Sequence, residues 1–292
     1  MRIAVLGARG QLGAAVVHEC TARPGGPGNH EVIAFDHLAL DITDAAAVAA
    51  AMERVQPEVI VNCAGYNAVD AAEDHPVDAL QANAFAVRTL ARVATAQGAT
   101  LVQYSSDFVF DGTAGQPYTE EDRPNPRSVY AASKMIGEWF AVDAPRAYVL
   151  RVESLFGRAP AGPPAKGSAT VIVEALRAGR TPRVFEDRTV SPTYVIDAAR
   201  ATRQLVEAHA PAGLYHSVNS GRCTWVEFAR EAARLLRVEP RLEAVRMADV
   251  SMPAARPQYC ALSNEKLASI GIVMPSWQDA LGRYLEGLRT NG

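Results

Sequence analysis

The sequence predicts an α/β protein. A doubly wound parallel sheet spans residues 1–152, and a smaller mixed α/β unit spans 153–292, with segments near 190–210 returning to the first. Two observations carry this reading: apolar runs without polar alternation, and helical segments between them. The runs are "RIAVLG" (2–7), "EVIAFD" (31–36), "VIVNCAG" (59–65), "TLVQYSS" (100–106) and "AYVLRV" (147–152). Strands of parallel sheets are covered on both faces, so they lack alternation. Between them, "QLGAAVVHEC", "AAAVAAAMERV", "DALQANAFAVRTLARVATAQ" and "ASKMIGEWFA" show helical periodicity. This β-α alternation is the signature of a doubly wound sheet. Beyond residue 152 the pattern loosens. "GRAPAGPPAKG" (157–167) reads as a mobile loop. Helices are expected near 168–178, 195–208, 224–236 and 276–289, with short strands at "RVFED" and "GLYHSVN".

Composition bounds the function. The chain has 292 residues, 49% hydrophobic and 21% charged, an ordinary globular balance. A net charge of −3 gives no basic footprint for nucleic acid. No stretch approaches the ~20 apolar residues of a membrane span, and "MRIAVLGARG" breaks into glycines too early for a signal peptide. Cys20, Cys63, Cys223 and Cys260 show no pairing or metal-ligand spacing, which fits reduced thiols in the cytoplasm.

Gly7, Gly10 and Gly13 follow the first strand as G-A-R-G-Q-L-G and open a helix. Such glycines allow a tight turn and close backbone approach, and the helix N-terminus faces a pyrophosphate. This is a dinucleotide-binding loop of Rossmann type, with Gln11 and Leu12 inside it. Asp36 ends the second strand, where an acidic side chain accepts hydrogen bonds from a ribose 2′-OH and repels a 2′-phosphate. NAD(P)H is therefore expected, leaning to NADH; His37 beside it keeps NADPH open. Asp41 and Ile42 are placed beside the adenine. Tyr130 and Lys134 in "SVYAASKMIGE" (128–138) stand one helical turn apart on one face, with small residues between them. A lysine beside a phenol lowers its pKa from ~10 and makes it a usable proton donor. The spacing alone equally fits an anchoring tyrosine and a lysine reaching to water.

Further segments settle the direction: "VNCAGYNAVDAAE" (61–73), "YSSDFVFDG" (104–112), "PYTEEDRPNPRSVYAASKMIGE" (117–138), "AGLYHSVNSGRCTW" (212–225), "ARPQYCALSNEKL" (255–267) and "PSWQDAL" (275–281). Together they resemble the dTDP-4-dehydrorhamnose reductase family, a branch of the extended short-chain dehydrogenase/reductases, over essentially the whole chain. The resemblance implies an NAD(P)H-dependent reductase of a 4-keto group on a nucleotide-linked, dTDP-type deoxysugar. It implies that Ser106 hydrogen-bonds the substrate carbonyl, Tyr130 protonates the nascent alkoxide, and Lys134 holds the nicotinamide ribose. Ala64, Gly65, Tyr66 and Tyr104 fall in segments beside the cofactor, and Asn67, Asp107, Ser154 and Arg256 in segments beside the sugar. Asp107 also reads as a strand-end turn residue. Asn83 matches a supporting asparagine, and reads equally as a helix-surface residue. Arg188 and Arg256 suit a diphosphate, and equally structural ion pairs. Trp139, Trp225 and Trp277 read as packing residues.

The chain departs from its relatives at "RVES" (151–154), where the family has R-T-S-W. Ser154 takes the place of a pocket tryptophan, which implies a wider, more polar pocket, and Glu153 puts an acid beside it. Family members that bind magnesium use a glutamate just after the glycine loop. Ala14 and Ala15 stand there, so no metal is expected. Two other functions stay open: an epimerase or dehydratase that retains its cofactor, and a non-catalytic subunit like the regulatory subunit of methionine adenosyltransferase. A homodimer is likewise left open.

Overall fold

A computed structural model describes residues 1–21, 29–160, 162–163 and 167–290. The stretch 157–167 therefore lies partly outside the described residues. The chain opens with β1 (Arg2–Leu6), α1 (Gln11–Cys20), β2 (Glu31–Phe35), α2 (Ala45–Val55) and β3 (Val59–Asn62). It continues with α3 (Ala71–Asp74), α4 (Pro76–Leu80), a π-helical turn (Gln81–Phe85), α5 (Ala86–Gln97), β4 (Thr100–Ser106), α6 (Val129–Val142) and β5 (Ala147–Val152). The second half holds β6 (Leu155–Phe156), α7 (Ser168–Arg177), β7 (Arg183–Phe185), β8 (Thr189–Val190), β9 (Thr193–Tyr194), α8 (Val195–Glu207) and β10 (Gly213–His216). It ends with β11 (Cys223–Thr224), α9 (Trp225–Leu236), β12 (Glu243–Val245), α10 (Glu265–Ser269) and α11 (Trp277–Thr290).

The main sheet runs β10-β5-β4-β3-β1-β2, and every pairing in it is parallel. Alternate residues feed two apolar layers. Val102 and Leu150 join the layer under α1 and α8, whereas Leu101 and Val149 join the layer under α2 and α5. A strand buried on both faces has no polar side to show, which is why the sequence reads as continuous apolar runs. The exception is β2. It lies at the sheet edge, and Glu31 and Ala34 on it are exposed. Reading it as covered on both faces is corrected by its position, since one flank has no strand. At the opposite edge β10 pairs with β5. The return of the second half to this sheet thus extends beyond residue 210. A third apolar cluster joins α7, α9 and α11, with Phe156, Trp225, Phe228 and Trp277 at its centre.

The long helix expected across 78–97 is interrupted at Gln81–Phe85. Helix α6 presses on it there: a Cβ at Gly137 would lie 2.1 Å from the Asn83 carbonyl oxygen. The widened turn and the missing side chain at Gly137 accommodate one another. Trp139, read as a packing residue, is 59% exposed on the outer face of α6, whereas Trp225 and Trp277 are buried.

Candidate active site

Two clefts meet above the C-terminal ends of β1, β3 and β4, where open parallel sheets bind ligands. One, of about 920 Å³, is lined by Gly7, Asp36, Asp41, Ile42, Gly65 and Tyr66, among others. The second, of about 550 Å³, is lined by Gln11, Leu12, Ser106, Tyr130, Lys134 and Ser154, among others. Gly10, Cys63, Ala64 and Asn67 border both.

The glycine loop is built for backbone contact. A Cβ at Gly7, where φ is +72°, would sit 2.7 Å from the Ala64 nitrogen. One at Gly13 would meet the Gly7 carbonyl oxygen at 2.2 Å. Gly10 caps α1 without a side-chain hydrogen bond, so first-turn N–H groups remain for an anion. Gln11 instead donates to the Gly157 carbonyl at 2.7 Å and ties the loop to the second half. Asp36 directly follows β2, one residue past the strand end, and it carries a partner the sequence did not reveal. Arg9, 80% exposed in the glycine loop, lies 2.8 Å from its carboxylate. Asp41 is turned onto Thr43, accepting from its backbone and hydroxyl at 2.9 and 2.8 Å. These features fit a dinucleotide: a cradle that side chains would fill, a helix start with first-turn N–H groups, and a carboxylate with an adjoining guanidinium just past β2.

The side chains expected to react lie where β4 meets α6. Ser128 caps α6 by accepting from the Ala131 N–H at 3.2 Å. The Glu73 carboxylate accepts from the Val129 N–H at 2.8 Å. The helix start is thereby fixed, with Tyr130 in its first turn facing the second cleft. The Tyr130 ring packs edge-on against Phe108 with centroids 5.5 Å apart. Lys134, one turn on, donates to the Tyr104 carbonyl at 2.7 Å. Tyr104 contributes that carbonyl, while its hydroxyl pairs with Thr202 on α8 at 2.5 Å inside the core. Asn83 is buried and clamps the site. It donates to the Tyr66 carbonyl at 2.9 Å and to the Ser133 hydroxyl at 3.0 Å, and accepts from the Tyr66 N–H at 2.9 Å. It is not a helix-surface residue.

One expectation is corrected. Lys134 was expected to lower the Tyr130 pKa, yet burial pushes the phenol up to about 12, opposed by a hydrogen bond with Ser106 and reinforced by Asp107. The spacing sets proximity but not direction: the ammonium aims at the Tyr104 carbonyl. Burial also pushes Lys134 itself down to about 8. Tyr130 is thus a protonated phenol at neutral pH.

The sugar-side candidates divide. Asn67, Ser106, Asp107, Ser154, Arg188, Trp225 and Arg256 all border the second cleft. Ser154 holds φ +43°, a left-handed conformation uncommon for a non-glycine residue. The Arg256 guanidinium binds both oxygens of Asp70 at 2.8 and 2.7 Å, and Asp70 is held below the usual carboxylate range chiefly by that bond. Arg188 is buried against Asp107, Glu153 and Cys260. Arg256 is thus already paired with a carboxylate, whereas Arg188 donates to the Cys260 sulfur at 3.6 Å and keeps its Nε without a partner. Trp225, read only as a packing residue, also walls this cleft and restores an indole to a pocket that lacks one at position 154.

The model of the RmlD substrate binding domain family matches residues 1–290. The chain belongs to this family. Its relatives include a dTDP-4-dehydrorhamnose reductase of Streptomyces griseus, 35% identical over 95% of this chain and 90% of that one. Another is a probable dTDP-4,6-dihydroxy-2-methyloxan-3-one 4-ketoreductase of Streptomyces antibioticus, 33% identical over 96% and 93%. Among solved structures, a dTDP-4-dehydrorhamnose reductase of Bacillus anthracis in complex with NADP superposes with a TM-score of 0.89 at 30% identity, covering 98% of this chain and 99% of that one. Among the described residues, no helix of this family member is long and apolar enough to cross a membrane.

Proposed function

We propose that the chain reduces the 4-keto group of a dTDP-linked deoxysugar with NADH or NADPH. The observation that carries the reading is the convergence of Ser106, Tyr130 and Lys134 on one wall of the second cleft, next to the glycine-loop cleft. Gly7, Gly10 and Gly13 receive the pyrophosphate, Asp36 the adenosine ribose, and Lys134 the nicotinamide ribose. The bound coenzyme supplies the hydride. Tyr130 gives its proton to the ketone oxygen, and Ser106 holds that oxygen in place as charge develops. Burial keeps the Tyr130 proton on until the substrate oxygen is basic enough to take it. Residues 1–152 hold the coenzyme in this reading, and 153–292 hold the sugar against Ser154, Trp225 and Asp107. The presence of all three reactive side chains speaks against a purely regulatory subunit.

The Arg9–Asp36 pair bears on coenzyme choice. Asp36 accepts from a ribose 2′-OH, while Arg9 can turn to a 2′-phosphate at the cost of an exposed ion pair worth little. The wild-type chain is therefore expected to use both coenzymes, with NADH at parity or better. Asp36→Ala frees Arg9 and shifts the kcat/KM ratio toward NADPH. Initial rates with both coenzymes decide this, and an unchanged ratio in Asp36→Ala would remove Asp36 from the ribose. The reductase reading itself is tested by coenzyme consumption: a reductase oxidises one NADH per sugar converted, whereas an epimerase or dehydratase shows no net oxidation.

A further inference from the structure

We propose that Asp107 and Glu153 form a carboxyl pair whose shared proton decides which way the Ser106 hydroxyl points. The proposal rests on the reductase reading for its consequence and on geometry for its substance. Both side chains are buried, with 3% and 1% exposure. The Asp107 Oδ2 and Glu153 Oε1 oxygens are buried without any hydrogen-bond partner. One carboxylate oxygen of each residue and the Cys260 sulfur all lie within 4.8 Å of one another. The other Glu153 oxygen accepts from the Ser191 N–H at 2.6 Å. The other Asp107 oxygen accepts from the Ser106 hydroxyl at 2.9 Å. Two facing carboxylates without donors do not both stay ionised cheaply, so the pair retains a proton that isolated carboxylates would shed.

The groups facing the pair come from four parts of the chain. Arg188, which precedes β8, is the cation among them, and its Nη2 donates to the Cys260 sulfur at 3.6 Å. Its guanidinium lies 5.5 Å from the Phe108 ring centre, and its Nε is buried without a partner. Cys260 and Tyr259 come from the C-terminal segment, Cys223 from β11, and Tyr130 from α6. Both thiols are pushed up by burial and stay protonated. The spacing of Asp107, Glu153 and Cys260 resembles a cation site, but the guanidinium already fills that role. Burial raises Asp107 to about 6 and Glu153 well above its usual range.

A hydroxyl has one hydrogen. With Asp107 ionised, Ser106 spends that hydrogen on Asp107 and accepts from the Phe108 N–H at 3.2 Å. It then has nothing to donate to a ketone oxygen. With Asp107 protonated, the acid donates to the Ser106 oxygen, and the serine hydrogen is free to turn to the substrate. Glu153 acts one step back: burial and the Asp107 charge make it hold its own proton beyond the pH at which Asp107 ionises. Glu153 is therefore a positioning residue, and the sequence departure at 151–154 acquires a purpose.

The sign follows. Burial raises Asp107 to about 6, so its proton is present at low pH and lost as pH rises through that value. Reductive kcat/KM should fall with that loss. Glu153→Gln replaces the acid with a fixed amide N–H beside Asp107, which favours the ionised form. Its falling limb should move to lower pH by about one unit or more, the coupling expected of interacting carboxyls. Asp107→Asn cannot titrate, and its limb should vanish. The experiment measures kcat/KM from pH 5 to 10, a range chosen to span roughly the neutral region, for the full chain with dTDP-4-keto-6-deoxyglucose and NADH. It is paired with an infrared titration of the buried carboxylic acid carbonyl band. The wild-type band should lose its Asp107 component on the way to neutrality; that component should titrate lower in Glu153→Gln and be absent in Asp107→Asn, where the Glu153 component remains. A limb unmoved in both variants belongs to Lys134 and overturns the proposal, as does a wild type without the band. A band that behaves as expected in a chain that turns over no keto sugar supports the pair and overturns the reductase reading instead.

Discussion

Tyr130→Phe is expected to lower kcat for keto-sugar reduction by about 10²- to 10⁴-fold, the usual contribution of a positioned general acid. Coenzyme binding should survive, because the ring remains in its edge-on contact with Phe108 and only the hydroxyl is lost. Lys134 also keeps its bond to the Tyr104 carbonyl. Stopped-flow hydride transfer and a fluorescence titration of NADH separate the two effects. A variant with near wild-type kcat would place the proton donor elsewhere, and a variant that no longer binds NADH would make Tyr130 a structural residue.

The second large effect is on stability. Arg151, at the end of β5, makes a two-pronged pair with Glu138 of α6, at 2.8 and 2.7 Å. Both are buried, and the guanidinium also lies 4.8 Å from the centre of the Phe110 ring. Arg151→Met leaves the Glu138 charge buried and unpaired, which costs about 3–5 kcal/mol. At roughly 2–4 °C per kcal/mol for a chain of this size class, Tm should fall by about 10 °C. Arg151→Met with Glu138→Leu should recover most of that loss, since an apolar pair of similar volume is often neutral. Calorimetry of the two variants checks this, and a single variant melting within a degree or two of wild type would refute it. Glu138 stands one turn beyond Lys134 and raises its proton affinity, so the same pair connects stability to the site.

Much of this was legible in the sequence for physical reasons. Parallel strands buried on both faces cannot hide their apolar runs, and the glycine loop has no substitute where a Cβ would lie 2.2 Å from a backbone oxygen. Tyr130 and Lys134 share a face by helix geometry alone. What was illegible depends on contacts between distant residues, which leave no periodic trace. Arg256 meets Asp70 across 186 residues, Arg9 meets Asp36 across the first turn of the fold, and Glu153 meets Asp107 only once β5 lies beside β4. The direction of the Lys134 ammonium and the π-helical turn at Asn83 are likewise set by packing, not by local preference. Trp225 read as core because it is core; that its edge also reaches the cleft needed three dimensions.

The central claim is hydride transfer to a sugar ketone, and one isotope measurement tests it most directly. The full chain is incubated with dTDP-4-keto-6-deoxyglucose and NADH deuterated at C4 of the nicotinamide. The account predicts one equivalent of coenzyme oxidised per sugar consumed, with the deuterium recovered on C4 of a 4-hydroxy product. An isomerised or unchanged sugar with no net oxidation of NADH would contradict it.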